Sequence, residues 1–364
     1  MRKLLMLFVS ITFFFALAAC GGTETSESAE VDEVDEDEAV GEGVVDASAT
    51  EFDSREITFS HNQPIESPEH VGAEKFKEVV EELTNGSVTV NVFPASQLGS
   101  LREQVEGTQL GEIDITMQPS AVVSPFVDDI KVVDLPYLWP ANHAQMYEVL
   151  DGEVGQEVLS TLGQGGFEGL GYWPGGFKLF TTGSKEIHQP EDFNGLTMRV
   201  MESPLLIAQY EAWGGNAIPV PYAEVYNSLQ QGVVDGQENP LQTIYLNNYH
   251  EVQENIIESY HGTMTYILMA NQAWFSGLPD ELKQVILQAE EEGRMAARQT
   301  LSDVEDDYRQ SIIDSGVNYY ELTEEEIEAF RNASLPMHKE VYNKPEQLEL
   351  LDKIYEAIDL VTTN

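Results

Sequence analysis

The chain has 364 residues, a length suited to two domains with cores of their own, and 42% of them are hydrophobic. Eighteen Lys and Arg stand against 64 Asp and Glu, a formal net charge of -46, and such a surface repels nucleic acid and anionic lipid headgroups. The one cysteine, Cys20, excludes an intrachain disulfide and a cysteine-based metal site, and any anion site in so acidic a chain needs its own local positive field.

Arg2 and Lys3 precede an apolar run, Leu4 to Leu17, that is short for a membrane span, and Leu17-Ala18-Ala19-Cys20 follows. That order resembles a bacterial lipoprotein signal, in which residues 1–19 are removed and the Cys20 thiol is acylated. An ordinary secretory signal that ends in cysteine is the alternative, and either one exports the protein. Residues 20–51 are rich in Gly, Ser, Ala, Glu and Asp. They cannot bury enough apolar surface to offset the entropy of ordering, so they read as an acidic disordered tether.

Folding is expected to begin near Arg55, with a strand over Ile57–Ser60 and a helix opened by the Ser67-Pro68 start and stopped by Asn85-Gly86. Val88, Val90 and Val92 alternate as a strand, Ser100–Leu110 reads as a helix and Ile113–Met117 as a short buried strand. This β-α-β-α-β order implies crossover helices on the faces of a sheet. Further on, Val132–Tyr137 reads as a strand, Tyr147–Leu162 as one helix despite Gly152 and Gly155, and Gly169–Trp173 as a strand broken by Pro174-Gly175-Gly176. Phe177–Thr181 continues extended. Gly195–Pro240 then holds a strand, a helix, a proline-punctuated segment and a second helix. Gly262–Asn271 is an apolar strand, a long amphipathic helix starts at Pro279, a strand precedes Tyr320, and Thr323-Glu324-Glu325-Glu326 is a capping box. The whole is α/β, and strands that return after Gly262 imply a chain crossing more than once between two lobes, which is a way to build a hinged cleft.

Enzyme motifs are missing from the sequence: there is no G-x-S-x-G elbow, no P-loop, no G-x-G-x-x-G after a strand and no H-E-x-x-H spacing. No metal or cofactor is expected. Arg199 lies in Leu196–Met201, a strand walled by apolar groups, and a buried guanidinium needs an anionic partner. Spacing alone favours an internal acid over a ligand for that partner. Pro240 holds Asn239 extended at the end of the stretch, Tyr222 either walls a pocket or packs in the core, and Lys178 is either exposed or a second cation over the same site.

Several linked runs then resemble one family in the right order. They are Gly195–Arg199, Pro219-x-Pro221, Ala223-Glu224-Val225-Tyr226-x-x-Leu229-Gln230 and Val234-Asp235-Gly236-Gln237-Glu238-Asn239-Pro240. Phe93–Gly99, Asp134-Leu135-Pro136-Tyr137, and Trp173 with Gly176-Phe177-Lys178 support them. Together they resemble the DctP-like substrate-binding proteins of TRAP transporters, from about Arg55 to the C-terminus. The resemblance implies a two-lobe, periplasmic-binding-protein-like α/β fold with a hinged cleft and a long helix bridging the lobes. The lobes would be 52–175 plus 264–303 and 176–263 plus 304–364. It implies no enzyme, but an extracytoplasmic receptor, anchored at the outer face of the membrane through Cys20, that hands a small organic acid to a membrane permease. A receptor of the same fold that signals to a membrane kinase is the alternative. Arg199 matches the family's carboxylate-clamping arginine, Asn239 its ligand-contacting asparagine and Tyr222 a cleft aromatic. Asn62 and Gln118 fall where the first lobe gives polar contacts, and Trp173 joins this set. The family often has a second arginine where this chain has Lys178, whose ammonium lacks the planar fork. C4-dicarboxylates, monocarboxylates, sugar acids and zwitterionic osmolytes therefore all stay open as ligands.

Overall fold

The computed structural model describes residues 52–363, so the signal-like segment, Cys20 and the acidic tether lie outside the described residues. The order opens with β1 (Arg55–His61), α1 (Pro68–Leu83), β2 (Val88–Phe93), α2 (Leu101–Leu110), β3 (Ile115–Pro119), the single turn α3 (Ser120–Val123), α4 (His143–Asp151), α5 (Glu153–Ser160) and β4 (Phe167–Trp173). It continues through β5 (Lys178–Thr182), β6 (Thr197–Val200), α6 (Pro204–Ala212), β7 (Asn216–Pro219), α7 (Val225–Gln230), β8 (Gly236–Pro240), α8 (Leu241–Leu246) and β9 (Asn255–Glu258). It closes with β10 (Tyr266–Asn271), α9 (Gln272–Ser276), α10 (Asp280–Asp314), β11 (Asn318–Glu321), α11 (Glu324–Val341) and α12 (Pro345–Thr363).

Local chemistry sets many of these ends. Ser67 caps α1 by accepting from His70 N, with Pro68 at the first helical position. Ser100 and Glu103 form a capping box on α2, and Thr323 and Glu326 form another on α11. Two expectations fail. Val132–Tyr137 is not a strand: Asp128–Asp134 is a short, tight helix whose backbone carbonyls take bonds from Trp139 Nε1 and Tyr342 Oη. A short apolar run buried on all sides carries no period that separates strand from helix. Tyr147–Leu162 is not one helix either, because Gly152 adopts an extended backbone and divides α4 from α5.

The strands form two sheets, in the orders β2-β1-β3-β10-β4 and β11-β9-β5-β8-β6-β7. In the first, β1 runs parallel to β2 on one side and β3 on the other. In the second, β6 runs parallel to β7 on one side and β8 on the other. Each sheet thus has a point where successive crossovers leave in opposite directions, and a crevice opens there at the carboxyl ends of the strands. Asn62–Gln63 and Gln118–Ser120 sit at the first such point, and Arg199–Met201 with Asn239–Pro240 at the second.

The chain passes between the sheets at residues 174–177 and 261–265, and these segments hold each other: Lys178 N donates to Gly262 O at 2.9 Å and Met264 N to Gly176 O at 2.8 Å. Gly176 has φ +94, a conformation that favours glycine. Helix α10 spans 35 residues, roughly 50 Å. Its first half meets α1 closely because Gly72 and Gly293 face each other; a Cβ on Gly72 would stand 2.6 Å from Gly293 O. Its second half reaches the other sheet, where Arg309 Nε pairs with Glu258 Oε1 at 2.8 Å. The long helix therefore touches both lobes.

The closing helix departs from the expected division. Residues of α12 were expected with the second lobe, yet α12 packs on α4 and α5 beside the first sheet. Lys353 Nζ pairs with Glu157 Oε1 at 2.8 Å, and Gln145 Nε2 donates to Val361 O at 3.1 Å. Leu350, Leu351 and Ile354 make a buried stripe on α12, and Met146, Val149, Leu150 and Val158 make one on α4 and α5. Covering both stripes at once favours this seat.

Candidate functional site

Alternation along β8 sends neighbouring side chains to opposite faces of the second sheet. Register places Glu238 beside Phe180 and Pro240 beside Lys178 on one face, and Gln237 beside Arg199 on the other.

On the first of these faces, Lys178 is 1% exposed and its Nζ pairs with Glu238 Oε1 at 3.0 Å. Glu238 Oε2 accepts from Gln209 Nε2 at 2.9 Å and Tyr210 Oη at 3.1 Å, and lies 3.0 Å from His261 Nε2. Burial alone would raise the Glu238 carboxyl, but Lys178 and His261 outweigh it and hold the group below the usual carboxylate range. Lys178 is thus neither exposed nor part of the cleft lining: its charge is taken up inside the lobe.

Arg199, on the other face, is 2% exposed. Its Nε and Nη2 donate to Val220 O at 3.0 and 2.9 Å, which fixes the guanidinium in place. Among the described residues it has no carboxylate within 4.0 Å, so the internal ion pair expected from spacing is not formed. Burial lowers its pKa from the ordinary value, and the nearby Tyr249, Glu238 and Tyr222 offset part of that. Arg199 lines a cleft of about 470 Å³ together with Met201, Val220 and Tyr222 from the second lobe and Ser96, Gly99, Ser100 and Val122 from the first.

Tyr222 lines the same cleft, and its hydroxyl accepts from Asn247 Nδ2 at 2.8 Å. Asn239 is buried two residues along β8 from Gln237, on the same face as Arg199, and donates through Nδ2 to Gln237 Oε1. On the first lobe, Gln118 donates through Nε2 to Gln104 Oε1 at 3.0 Å and Thr116 Oγ1 at 2.9 Å, and Asn62 is buried at the end of β1. Trp173 is elsewhere: it is fully buried against Gly72 and Gly293, and its Nε1 donates to Glu290 Oε1 at 3.1 Å. It packs α1 against α10 and does not line the cleft.

The structure adds groups that sequence reasoning missed. Glu69 is fully buried, and its Oε1 accepts from Gln242 Nε2 at 2.6 Å, joining α1 to α8 across the lobes. Burial pushes its carboxyl up to about 7. Gln63 donates to Tyr266 Oη at the facing strand end. A glutamate in the first turn of a helix is ordinary dipole chemistry, so no signal in the sequence marked Glu69. No cluster of His, Cys, Asp and Glu that could hold a metal occurs among the described residues.

Two α/β lobes with facing crevices, a doubly crossing hinge and a long bridging helix define a solute-binding protein of the two-lobe type. Residues 59–345 match the model of DctP, the bacterial extracellular solute-binding proteins of family 7, and the chain belongs to that family. The C4-dicarboxylate-binding periplasmic protein DctP of Rhodobacter capsulatus is 35% identical over 287 residues, 78% of this chain and 86% of its own. A TRAP periplasmic solute-binding protein of Desulfovibrio salexigens, solved with bound orotic acid, matches with TM-score 0.81 and 33% identity over 84% of this chain and 99% of its own. One from Sulfurospirillum deleyianum, solved with bound succinate, matches with TM-score 0.77 and 34% identity over 83% and 99%. The chain is accordingly an extracytoplasmic substrate-binding protein of a TRAP transporter and not an enzyme.

Proposed function

We propose that this receptor captures a small organic acid by closing its lobes on a carboxylate held by Arg199, and delivers it to its membrane permease. One observation carries the reading: a guanidinium braced in the cleft wall with no acidic partner among the described residues. A buried cation in that state is stabilised by a ligand carboxylate through charge-assisted bonds. Asn239 and Tyr222 flank the clamp, Asn62 and Gln118 close on the solute from the first lobe, and the paired segments 174–177 and 261–265 serve as the hinge. Orotic acid and succinate in the two solved relatives are both carboxylates, which supports the reading. Residues 1–19 act as the signal, and acylated Cys20 with the acidic tether holds the receptor at the membrane.

Ligand-induced thermal stabilisation tests the clamp. Carboxylates from an organic-acid panel are expected to raise Tm in the wild type and not in Arg199→Ala; stabilisation that survives the substitution sinks the clamp. Cys20→Ser is expected to release the protein from the membrane fraction, and retention there would count against the anchor.

A further inference from the structure

Glu69 opens α1 and is fully buried, although it forms no ion pair among the described residues. Its Oε1 accepts from Gln242 Nε2 of α8 at 2.6 Å. The same nitrogen donates to Gly175 O at 3.0 Å, and a carbonyl oxygen takes only an N–H, so the orientation of the amide is fixed. One side chain of the second lobe thus grips both the carboxyl of the first lobe and the crossing segment 174–177. Glu69 Oε2 has no hydrogen-bond partner among the described residues.

Among the described residues no cation faces this carboxyl. Tyr147 of α4, Tyr222 of the cleft wall, Tyr266 of β10 and Tyr308 of α10 all feel its charge, and all are phenols whose acidity it suppresses. Arg199 lies beyond Tyr222, and Arg298 lies over the Tyr147 ring with its own charge taken by Asp151. From α8 come the uncharged Gln242 and Thr243. On the segment that carries Glu69, His70 turns to His61 at 3.1 Å and to Glu74 at 3.8 Å, and Glu66 is exposed. Burial outweighs the hydrogen bonds from its own backbone N–H, Gln242 and Ser67, and pushes the Glu69 carboxyl up to about 7. The meeting of α1 with α8 across the lobes contributes to that burial.

Resting on the lobe closure proposed above, we propose that solute capture is coupled to the uptake of a proton by Glu69, which seats between α1 and α8 most firmly when neutral. Parting the lobes lets water reach the carboxyl and restores its ordinary acidity. The open receptor therefore gives the proton up, and the closing one takes it back from solvent. An ionised Glu69 opposes closure, because its charge would enter a dry interface with no counter-ion. The closed state binds more protons than the open state between the ordinary value of 4.5 and about 7, so affinity falls as the pH rises through that window. Such a receptor holds its solute most tightly in mildly acidic surroundings and loosens as alkalinity rises.

Calorimetric titration of the full-length chain with pyruvate, fumarate, orotate and D-galacturonate tests the coupling, each run at about pH 6 in phosphate and in Bis-Tris, whose protonation heats differ. An acid that binds is expected to draw about 0.5–1 proton from the buffer, and its affinity to fall about tenfold between roughly pH 5.5 and pH 8. Glu69→Gln, neutral at every pH and of the same size, is expected to abolish the uptake and flatten the profile, binding about tenfold more tightly than the wild type at about pH 8. A glutamate with a structural role alone would, when replaced, weaken binding equally at every pH. Gln242→Leu keeps the carboxyl and removes a donor to its ionised form, so the fall in affinity is expected to move to higher pH. It decides the case in which Glu69→Gln does not fold, and an unmoved profile overturns the coupling. If an acid binds without proton uptake, or the uptake persists in Glu69→Gln, the coupling is overturned and the Arg199 clamp stands. If none of the four acids binds, the clamp fails and the coupling with it.

Discussion

Arg199 and Lys178 are buried cations on strands that flank the same central strand, β8, yet they lie on opposite faces of the sheet. Behind Lys178 the sheet supplies Glu238, whose carboxylate is also held by Gln209, Tyr210 and His261. Beside Arg199 the same strand supplies Gln237, an uncharged amide, and the guanidinium leans on the Val220 carbonyl instead. Burial therefore does not make a cation a binding group. What distinguishes the two is whether the fold has already supplied the counter-charge, and one residue of offset along β8 decides that.

The most forceful way to break the comparison is Lys178→Met. It leaves Glu238 buried without its cation, and loss of one member of a buried pair costs about 3–5 kcal/mol. Denaturant unfolding should show that loss. Its absence would mean that Glu238 is satisfied without Lys178, and the two faces would no longer differ in kind. Arg199→Ala is expected to do the reverse. Stability should change by less than for Lys178→Met, while affinity for the solute falls by roughly 100-fold or more, the cost of removing one partner of a buried charged contact. Arg199→Lys should restore only part of it, since an ammonium cannot form the bidentate fork.

Acid titration sharpens the same contrast through two carboxylates. Glu238 has a lowered folded-state pKa, so its contribution is present above the ordinary value of 4.5 and is lost as the pH falls through the folded value. Glu69 is the opposite case: its pKa rises from 4.5 to about 7 because it is buried with no cation. The folded state then binds more protons than the unfolded state between those limits, and stability falls as the pH rises from 4.5 to 7. Glu69→Gln should remove that slope, an effect of roughly 2–3 kcal/mol at neutral pH. A slope unchanged in the variant would show that Glu69 is not its source.

How much of this could be read in the chain follows from where each fact resides. A hinged cleft between two α/β lobes was legible because the order of strands and helices is written in periodicity and caps such as Ser67-Pro68 and Thr323, whereas the lateral strand order that opens a crevice in each sheet was not. Arg199 was legible as a buried charge, but its missing partner was not: spacing favoured an internal acid, and only the register of β6 on β8 shows Gln237 where an acid would have to stand. Lys178 was misjudged for the same reason. Glu69 gave no signal because its role comes from a contact with Gln242, 173 residues away in the chain. The seat of α12 was equally hidden, since an apolar stripe states that a face is covered and not by which lobe.

The weakest predicted effect marks the edge of the comparison. Arg102 also lines the cleft, but it is 48% exposed and pairs with Glu106 at 2.9 Å and, across the lobes, with Glu202 at 3.9 Å. Solvent screens it and both acids share it, so it resembles Lys178 in having a partner and differs in being wet. Exposed pairs of this kind contribute about 0–1 kcal/mol. Arg102→Ala should therefore leave unfolding stability within about 0.5 kcal/mol and solute affinity within about threefold at physiological salt, with any larger effect confined to low ionic strength. If it instead weakened binding as much as Arg199→Ala at every salt concentration, the second cation of the site would be Arg102.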